Sequence, residues 1–83
     1  MMRRNRHMII SEILDVCRTG ACKTRIVYQA NLNFRIVNDY IDLLVKNNLI
    51  TVKQGTDLSY ETTEKGIILL DNFKQINSQL SEL

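Results

Sequence analysis

The sequence predicts a small, mainly α-helical fold that contains one β-hairpin and ends in a long helix. Its 83 residues leave room for a single domain, which we place over 1–83. Apolar residues recur at helical spacing through the first half, alternate like a β-strand pair near residue 50, and return to helical spacing after residue 63. An apolar fraction of 45% and a charged fraction of 24% are ordinary for a chain that folds.

The first half predicts three helices. An apolar face that includes Ile9, Ile13 and Cys17 gives a helix over residues 5–18, and Gly20 provides its stop. A short second helix is predicted over 23–30, followed by a tight turn over 31–33. Asn33 is a good N-cap for a third helix over 34–47.

The second half predicts a hairpin and a final helix. Two β-prone stretches, 49–53 and 58–62, flank a loop over 54–57 that contains Gly55. Thr63 can cap a helix that begins at Glu64, and Gly66 should weaken that helix by about 1 kcal/mol.

This order of elements indicates a winged helix-turn-helix: three helices, a two-stranded wing, and one further helix. We assign residues 1–62 to the helix-turn-helix core and wing, and 63–83 to a coiled-coil-like dimerisation helix. In such a fold the third helix can present its polar face to the major groove of double-stranded DNA.

The candidate base contacts lie at the start of helix three. Arg35 can donate two hydrogen bonds to guanine, Asn38 can pair with adenine, and Phe34 can touch a thymine methyl. Asn33 and Asp39 lie beside them off the apolar stripe and complete the candidates. The alternative for Phe34 is packing in the core or at the helix start. For Arg35 and Asn38 the alternative is a solvated helix face.

Charge is distributed unevenly along the chain. Through residue 35, seven basic residues against two acidic ones give +5, and the remainder gives −3. The electropositive part therefore contains helix two and the start of helix three, as phosphate binding requires. Candidate phosphate contacts are Lys23, Thr24 and Arg25 at the start of helix two, and Lys53 and Gln54 on the wing. The N-terminal arginines Arg3, Arg4 and Arg6 are further candidates. They form either an arm along the DNA backbone or a frayed terminus.

The final helix carries an apolar seam at alternating steps of four and three residues, typical of a coiled coil. One small domain cannot cover a seam of this length, so we expect a homodimer. The alternative is that the first two seam residues pack on helix one of the same chain. The seam consists of Leu69, Phe73, Ile76, Leu80 and Leu83.

Several functions find little support in the composition. Two cysteines and one histidine cannot complete a four-ligand zinc site, and we expect reduced, buried or half-buried thiols. There is no glycine-rich phosphate loop or catalytic cluster, so we predict no enzyme, no cofactor and no small-molecule ligand. The longest apolar run is too short to span a membrane, which favours a cytoplasmic protein. If the protein binds DNA, as the helix-turn-helix order indicates, we expect it to be associated with the nucleoid.

Four segments of the chain match a known family. They are GACKTRIVYQANLN over 20–33, YIDLL over 40–44, NLI over 48–50 and YETTEKG over 60–66. The chain thereby resembles the archaeal winged-helix family typified by small dimeric Sulfolobus chromatin proteins and related transcriptional regulators. The resemblance implies DNA binding, dimerisation through an antiparallel coiled coil of the last helix, and an archaeal or archaeal-virus origin. Asn48 replaces the family's usual glycine, and asparagine tolerates the same left-handed conformation.

The sequence therefore favours a homodimeric winged-helix protein that binds double-stranded DNA, as a transcriptional regulator or as an architectural protein. The competing hypothesis is a winged-helix protein-interaction module, in which helix three or the wing binds another protein instead of DNA. The small net charge of +2 keeps this second hypothesis open.

Overall fold

The structure, a computed structural model, describes residues 5–81. It confirms the predicted winged helix-turn-helix, with four α-helices and one two-stranded antiparallel sheet among these residues. No helix in this part of the chain has the length and apolar character needed to cross a membrane. The elements are α1 (Arg6–Val16), α2 (Lys23–Ala30), α3 (Phe34–Lys46), β1 (Ile50–Gln54), β2 (Leu58–Thr62) and α4 (Glu64–Ser81).

The first helix is shorter than predicted. The side chain of Asn5 caps α1 by accepting a hydrogen bond of 2.8 Å from the backbone N–H of Met8. Regular α-helix ends at Val16, and Cys17–Thr19 form one 3₁₀ turn before Gly20, whose φ is 89°. The chain leaves α1 through this tighter turn.

A short backbone bridge joins this segment to the wing. Ala21 and Tyr60 exchange two backbone hydrogen bonds of 3.0 and 2.8 Å. Tyr60 is the central residue of β2, so this pair holds the middle of the wing to the helical body. The bridge is a single residue pair, which is too short to leave a strand pattern in the sequence, and it was not predicted.

The turn between α2 and α3 forms as predicted. Asn31 adopts a left-handed conformation with φ 54° and ends α2. Leu32 packs against the core, and Asn33 caps α3 by accepting a 2.8 Å hydrogen bond from the N–H of Ile36. Asparagine suits both positions, because it tolerates positive φ and its side chain can cap a helix.

A second left-handed asparagine links α3 to the wing. Asn48 has φ 61°, which confirms that asparagine can replace glycine at this turn. The strands pair in register from Ile50 with Thr62 to Gln54 with Leu58. The prediction that Gln54 lies in the loop was wrong: it is the last paired residue of β1, and the loop covers 55–57.

The core lies between α1, α2, α3, the base of the wing and the first half of α4. Each element contributes the residues of its inward face, so the helices and the wing form one hydrophobic cluster. Its largest fully buried members are Ile13, Leu14, Ile26, Leu44, Ile50, Leu70, Val37 and Cys17.

Gly66 has a packing role in addition to its predicted effect on helix propensity. The Thr63 hydroxyl accepts a 3.1 Å hydrogen bond from the Gly66 N–H, which confirms the predicted cap of α4. A Cβ at residue 66 would overlap the carbonyl oxygen of Leu49 and would lie 2.6 Å from Cγ2 of Thr62. Glycine therefore allows α4 to pack closely against Thr62 at the end of β2 and against the Leu49 backbone. Helix propensity does not include this gain in packing.

Candidate nucleic-acid interface

The start of α2 brings the predicted phosphate contacts to the surface. Thr24 and Arg25 are exposed. Lys23 is half-buried, with its ammonium 5.8 Å from the centroid of the Tyr60 ring. The ring can attract the cation, so it holds Lys23 between α2 and the wing. The basic start of α2 thus lies beside β2, where one backbone strand of DNA could contact both.

The start of α3 presents the predicted base contacts. Arg35 and Asn38 are exposed on the first turns of the helix, away from the buried face formed by Val37 and Ile41. Asn33 is already engaged, because its side-chain oxygen accepts the capping hydrogen bond. Its side-chain oxygen therefore helps to fix the start of α3, and its amide nitrogen remains available to a ligand.

Phe34 does not belong to the core. It is 50% exposed and lies outside the buried cluster and the apolar residues packed against that cluster. As the first residue of α3 it follows the Asn33 cap directly. The core-packing alternative is therefore excluded, and an aromatic ring stands at the tip of the helix that would enter the groove.

The arginines of this surface are not neutralised within residues 5–81. Arg25 and Arg35 have no carboxylate within 4.0 Å in that range. Asp39 and Asp42 are exposed farther along α3 and make its middle acidic. A polyanion would therefore meet favourable charge at Arg35 in the first turn of α3 and unfavourable charge from Asp39 in the second turn onward.

The wing contributes little free charge. Lys53 forms an ion pair of 2.9 Å with Glu61 on the neighbouring strand. Gln54 is exposed at the end of β1 beside the loop. Because Lys53 is paired with a carboxylate, Gln54 is the more available of the two predicted wing residues for a contact with DNA.

The three predicted N-terminal arginines differ in position. Arg3 and Arg4 lie outside the described residues. Arg6 is the first residue of α1 and is exposed. It borders a mostly apolar groove of about 520 Å³ between α1 and α3, whose lining also includes Asp39 and Tyr40. Arg6 is therefore part of a helix rather than of an extended arm.

Tyr28 is a candidate contact that was not predicted from the sequence. Its side chain is 81% exposed, the highest value among the exposed large hydrophobic residues of the described chain. It lies on α2 three residues after Arg25 and falls off the stripe formed by Ile26 and Ala30. That displacement from the stripe was visible in the sequence. A phenol so placed can donate to a phosphate oxygen while its ring lies against the sugar.

The predicted seam on α4 divides into two parts. Leu69 packs against the core of its own chain, and the Phe73 ring lies 5.9 Å from the His7 ring of α1. Ile76 and Leu80 are 53% and 60% exposed. The alternative of packing on the same chain thus describes the first half of the seam, and the second half presents apolar side chains to solvent. Leu83 lies outside the described residues.

The two thiols differ in environment. Cys17 is fully buried, and burial raises its pKa from 9.0 to about 12, although the nearby Arg25 acts in the opposite direction. Cys22 precedes α2 and is exposed, which corrects the expectation that both thiols are at least half-buried. Both are free. Within residues 5–81 no three His, Cys, Asp or Glu side chains come together as a metal site.

Comparison with known proteins gives the family. The chain matches the profile of a winged helix-turn-helix family over residues 3–81, and it belongs to that family. Two relatives are uncharacterized proteins of the archaeon Methanocaldococcus jannaschii. MJ0287 is 38% identical over 82 residues, and MJ0290 is 36% identical over 76 residues. The match to MJ0287 covers 98% of this chain and 74% of that protein. The match to MJ0290 covers 90% of this chain but only 35% of that protein, so this chain spans about a third of its length.

Solved structures agree with this assignment. The crystal structure of Sso10a-2, a DNA-binding protein from Sulfolobus solfataricus, is 31% identical with a TM-score of 0.80, covering 95% of this chain and 87% of that one. Bordetella bronchiseptica BpsR, whose DNA binding is regulated by 6-hydroxynicotinic acid, has a TM-score of 0.79 at 16% identity, covering 89% of this chain and 56% of that one. At that identity BpsR shows a shared fold alone. The resemblance to the archaeal winged-helix family is confirmed.

Proposed function

We propose that the chain binds double-stranded DNA as a homodimer, with α3 in the major groove and the start of α2 on the phosphate backbone. The observation that carries the proposal is the exposed first turn of α3. There Arg35 has no carboxylate partner within residues 5–81, and it lies beside exposed Phe34 and Asn38. This combination of donors and an apolar ring matches the base edges of the major groove.

The surroundings of α3 support the same orientation. Arg25 supplies a second unpaired cation at the start of α2, and Lys23 a third basic group beside the wing. Phosphate contacts of this kind fix the position of a protein on DNA, whereas base contacts supply specificity. The paired Lys53 should add little, so the helices would provide most of the binding free energy.

The dimer is proposed to form through the second half of α4. Ile76 and Leu80 are four residues apart and therefore lie on one side of the helix, exposed in the single chain. A partner's α4 would cover them, leaving 1–62 as the DNA-binding part and 63–83 as the dimerisation part. Two-fold symmetry would then favour half-sites spaced by about 34 Å or a multiple of it.

A transcriptional regulator and an architectural nucleoid protein would use the same surface. They differ in how strongly base contacts discriminate among sequences. Sso10a-2, a DNA-binding protein, makes either role reasonable for its relative. A protein of either kind would act in the cytoplasm on nucleoid DNA, without a cofactor or catalytic step.

The test is binding of a labelled 30-base-pair duplex, which is measured by fluorescence anisotropy at a series of salt concentrations. Arg25→Ala should weaken binding to all sequences alike and reduce the salt slope by about one per site, as expected when one phosphate contact is removed. Lys74→Ala is the matched control: it removes the same charge from α4, where Lys74 pairs with Asp15 at 3.4 Å. The control should leave the slope unchanged.

A loss of affinity confined to Lys74→Ala, or equal losses in both variants, would contradict the proposed placement of DNA. Failure of the wild-type protein to bind any duplex would favour the second candidate, a protein-interaction module. The observation in favour of that candidate is the apolar groove between α1 and α3, which is lined by α3 residues such as Ile36 and Leu43.

A further inference from the structure

We infer that the first two turns of α3 read an A·T step in the major groove, with Phe34 against a thymine methyl group and Asn38 hydrogen-bonded to adenine. The inference rests on the proposed DNA binding and extends it to the class of sequence that the surface prefers. Two independent observations carry it, the exposure of the Phe34 ring and the unengaged amide of Asn38.

An exposed phenylalanine at the tip of α3 needs an apolar partner. Half of the Phe34 surface is exposed, and the ring does not pack on the core cluster. Phosphate oxygens are contacted by hydrogen-bond donors, and a phenyl ring has none. The apolar feature that base pairs present in the major groove is the C5 methyl group of thymine. Phe34 therefore selects thymine over cytosine at the position it touches.

Asn38 has the matching polar role. Three other asparagine side chains are occupied: Asn5 and Asn33 cap helices, and Asn47 donates a hydrogen bond of 2.8 Å to the Leu43 carbonyl. Within residues 5–81 the exposed Asn38 amide makes no such hydrogen bond. A free carboxamide can accept from N6 and donate to N7 of adenine, a bidentate pairing that no other base offers.

The spacing of the two residues lets them read the same step. Phe34 and Asn38 are one turn apart on α3, so their Cβ atoms lie about 5–6 Å from each other on one side of the helix. Successive bases along a strand are about 3.4 Å apart. Side chains one helical turn apart therefore reach neighbouring bases, and the pair reads adenine and thymine together.

Base analogues isolate each contact without altering the rest of the duplex. A 30-base-pair duplex of mixed sequence is compared with the same duplex carrying uracil for every thymine, which removes only the methyl groups. A third duplex carries 7-deazaadenine for every adenine, which removes the N7 acceptor. Affinities of all three are measured for the wild type, Phe34→Ala, Asn38→Ala and Ile68→Ala. Ile68 is an exposed apolar residue of α4 and controls for general loss of apolar surface.

The wild type should bind the uracil duplex about fourfold more weakly for each methyl group that Phe34 would otherwise touch. It should bind the 7-deazaadenine duplex about tenfold more weakly. Phe34→Ala should no longer distinguish thymine from uracil but should still respond to 7-deazaadenine, and Asn38→Ala should show the reverse. Ile68→Ala should behave as the wild type.

Equal wild-type affinity for all three duplexes would overturn the inference and leave the proposed DNA binding intact. Discrimination that persists in Phe34→Ala and Asn38→Ala would also overturn it, because the analogues would then act through DNA shape. Absence of binding to every duplex would refute the proposed function and the inference together.

Discussion

Thr62, the last residue of β2, donates a hydrogen bond of 2.7 Å to the carbonyl oxygen of Leu14 in α1. The two residues are 48 positions apart in the chain, and both are buried. The Leu14 carbonyl is among the last four of α1, which lack partners in a regular helix. One side chain therefore satisfies a buried acceptor and fixes the base of the wing against the helical body that carries α3.

Replacing Thr62 by valine should destabilise the fold. Valine keeps the shape but leaves the Leu14 carbonyl buried without this donor, at a cost of about 1–3 kcal/mol in the free energy of unfolding. Urea denaturation measures the change, and Thr62→Ser, which keeps the hydroxyl, should recover much of the loss. Equal stability of Thr62→Val and the wild type would show that the hydrogen bond contributes nothing.

Gly66→Ala should also destabilise the protein, although alanine is the better helix former. The added Cβ would overlap the Leu49 carbonyl, which is held in place by a 3.0 Å hydrogen bond from the Thr63 N–H. Crowding against backbone atoms costs up to about 3 kcal/mol, which outweighs the roughly 1 kcal/mol that helix propensity returns.

Gly55→Ala is the matched control for this substitution. No atom of residues 5–81, apart from residue 55 and its two chain neighbours, lies within 4 Å of a Cβ at residue 55. The stability of Gly55→Ala should therefore stay within about 0.5 kcal/mol of the wild type. Thermal melts of both variants make the comparison. A more stable Gly66→Ala would mean that α4 is free to move away from the wing.

Ile76→Asp should convert the proposed dimer into monomers without unfolding the chain. Ile76 is exposed in the single chain, so an aspartate there should cost less than about 1 kcal/mol. In an interface the same aspartate would be a desolvated charge. Phe73→Asp should have the same effect on the dimer, but it would also disturb the contact with His7.

Light scattering after size exclusion gives the mass of each variant. Ser78→Asp is the control, since Ser78 is exposed and lies two residues from Ile76, on the opposite side of α4. It should remain a dimer. A monomeric wild type, or an Ile76→Asp protein of dimer mass, would exclude the proposed interface.

Burial of the Cys17 thiol predicts a loss of stability in alkali. Its pKa is about 12 in the folded chain and 9.0 when freely solvated, so the folded state holds the proton more tightly. The stabilisation is complete below pH 9 and is lost as the pH rises towards 12, with a slope of at most about 1.4 kcal/mol per pH unit.

Denaturation between pH 8 and 11 measures this slope, with Cys17→Ala as the reference. The variant should be less stable at pH 8 because its core is less well packed, but the difference should narrow as the pH rises. A difference in the free energy of unfolding that stays constant from pH 8 to 11 would contradict this account. It would show that the thiol has the same pKa in the folded and unfolded chains.

The helices and the wing could be predicted because local signals agree with the tertiary structure. Asn33 caps α3 as its sequence position implies, and Asn48 ends the turn before β1 with the predicted left-handed backbone. Features that depend on distant residues were not predictable. The Ala21 bridge to Tyr60 and the close approach at Gly66 each join segments far apart in the chain, and neither has a local pattern.

The sequence predicted which residues form the candidate site better than it predicted the contacts that those residues make. Arg35 and Asn38 are exposed as the helical pattern requires, because they fall off the apolar stripe. The pairing of Lys53 with Glu61 depends on strand register, which the sequence left undetermined. The exposure of Phe34 was an open alternative, because an aromatic residue at a helix start is equally compatible with packing and with a ligand.

Binding of double-stranded DNA by a dimer, through the unpaired cations of α2 and α3, is tested most directly by the salt dependence of affinity. One mixed-sequence duplex is titrated at about 50 and 200 mM salt, with the mass of the complex measured in parallel. Two basic residues from each chain, Lys23 and Arg25, would make about four phosphate contacts, so affinity should fall by about 10² between these conditions with two chains bound. Weak binding that does not change with salt, or a single chain per duplex, would contradict this mode of binding.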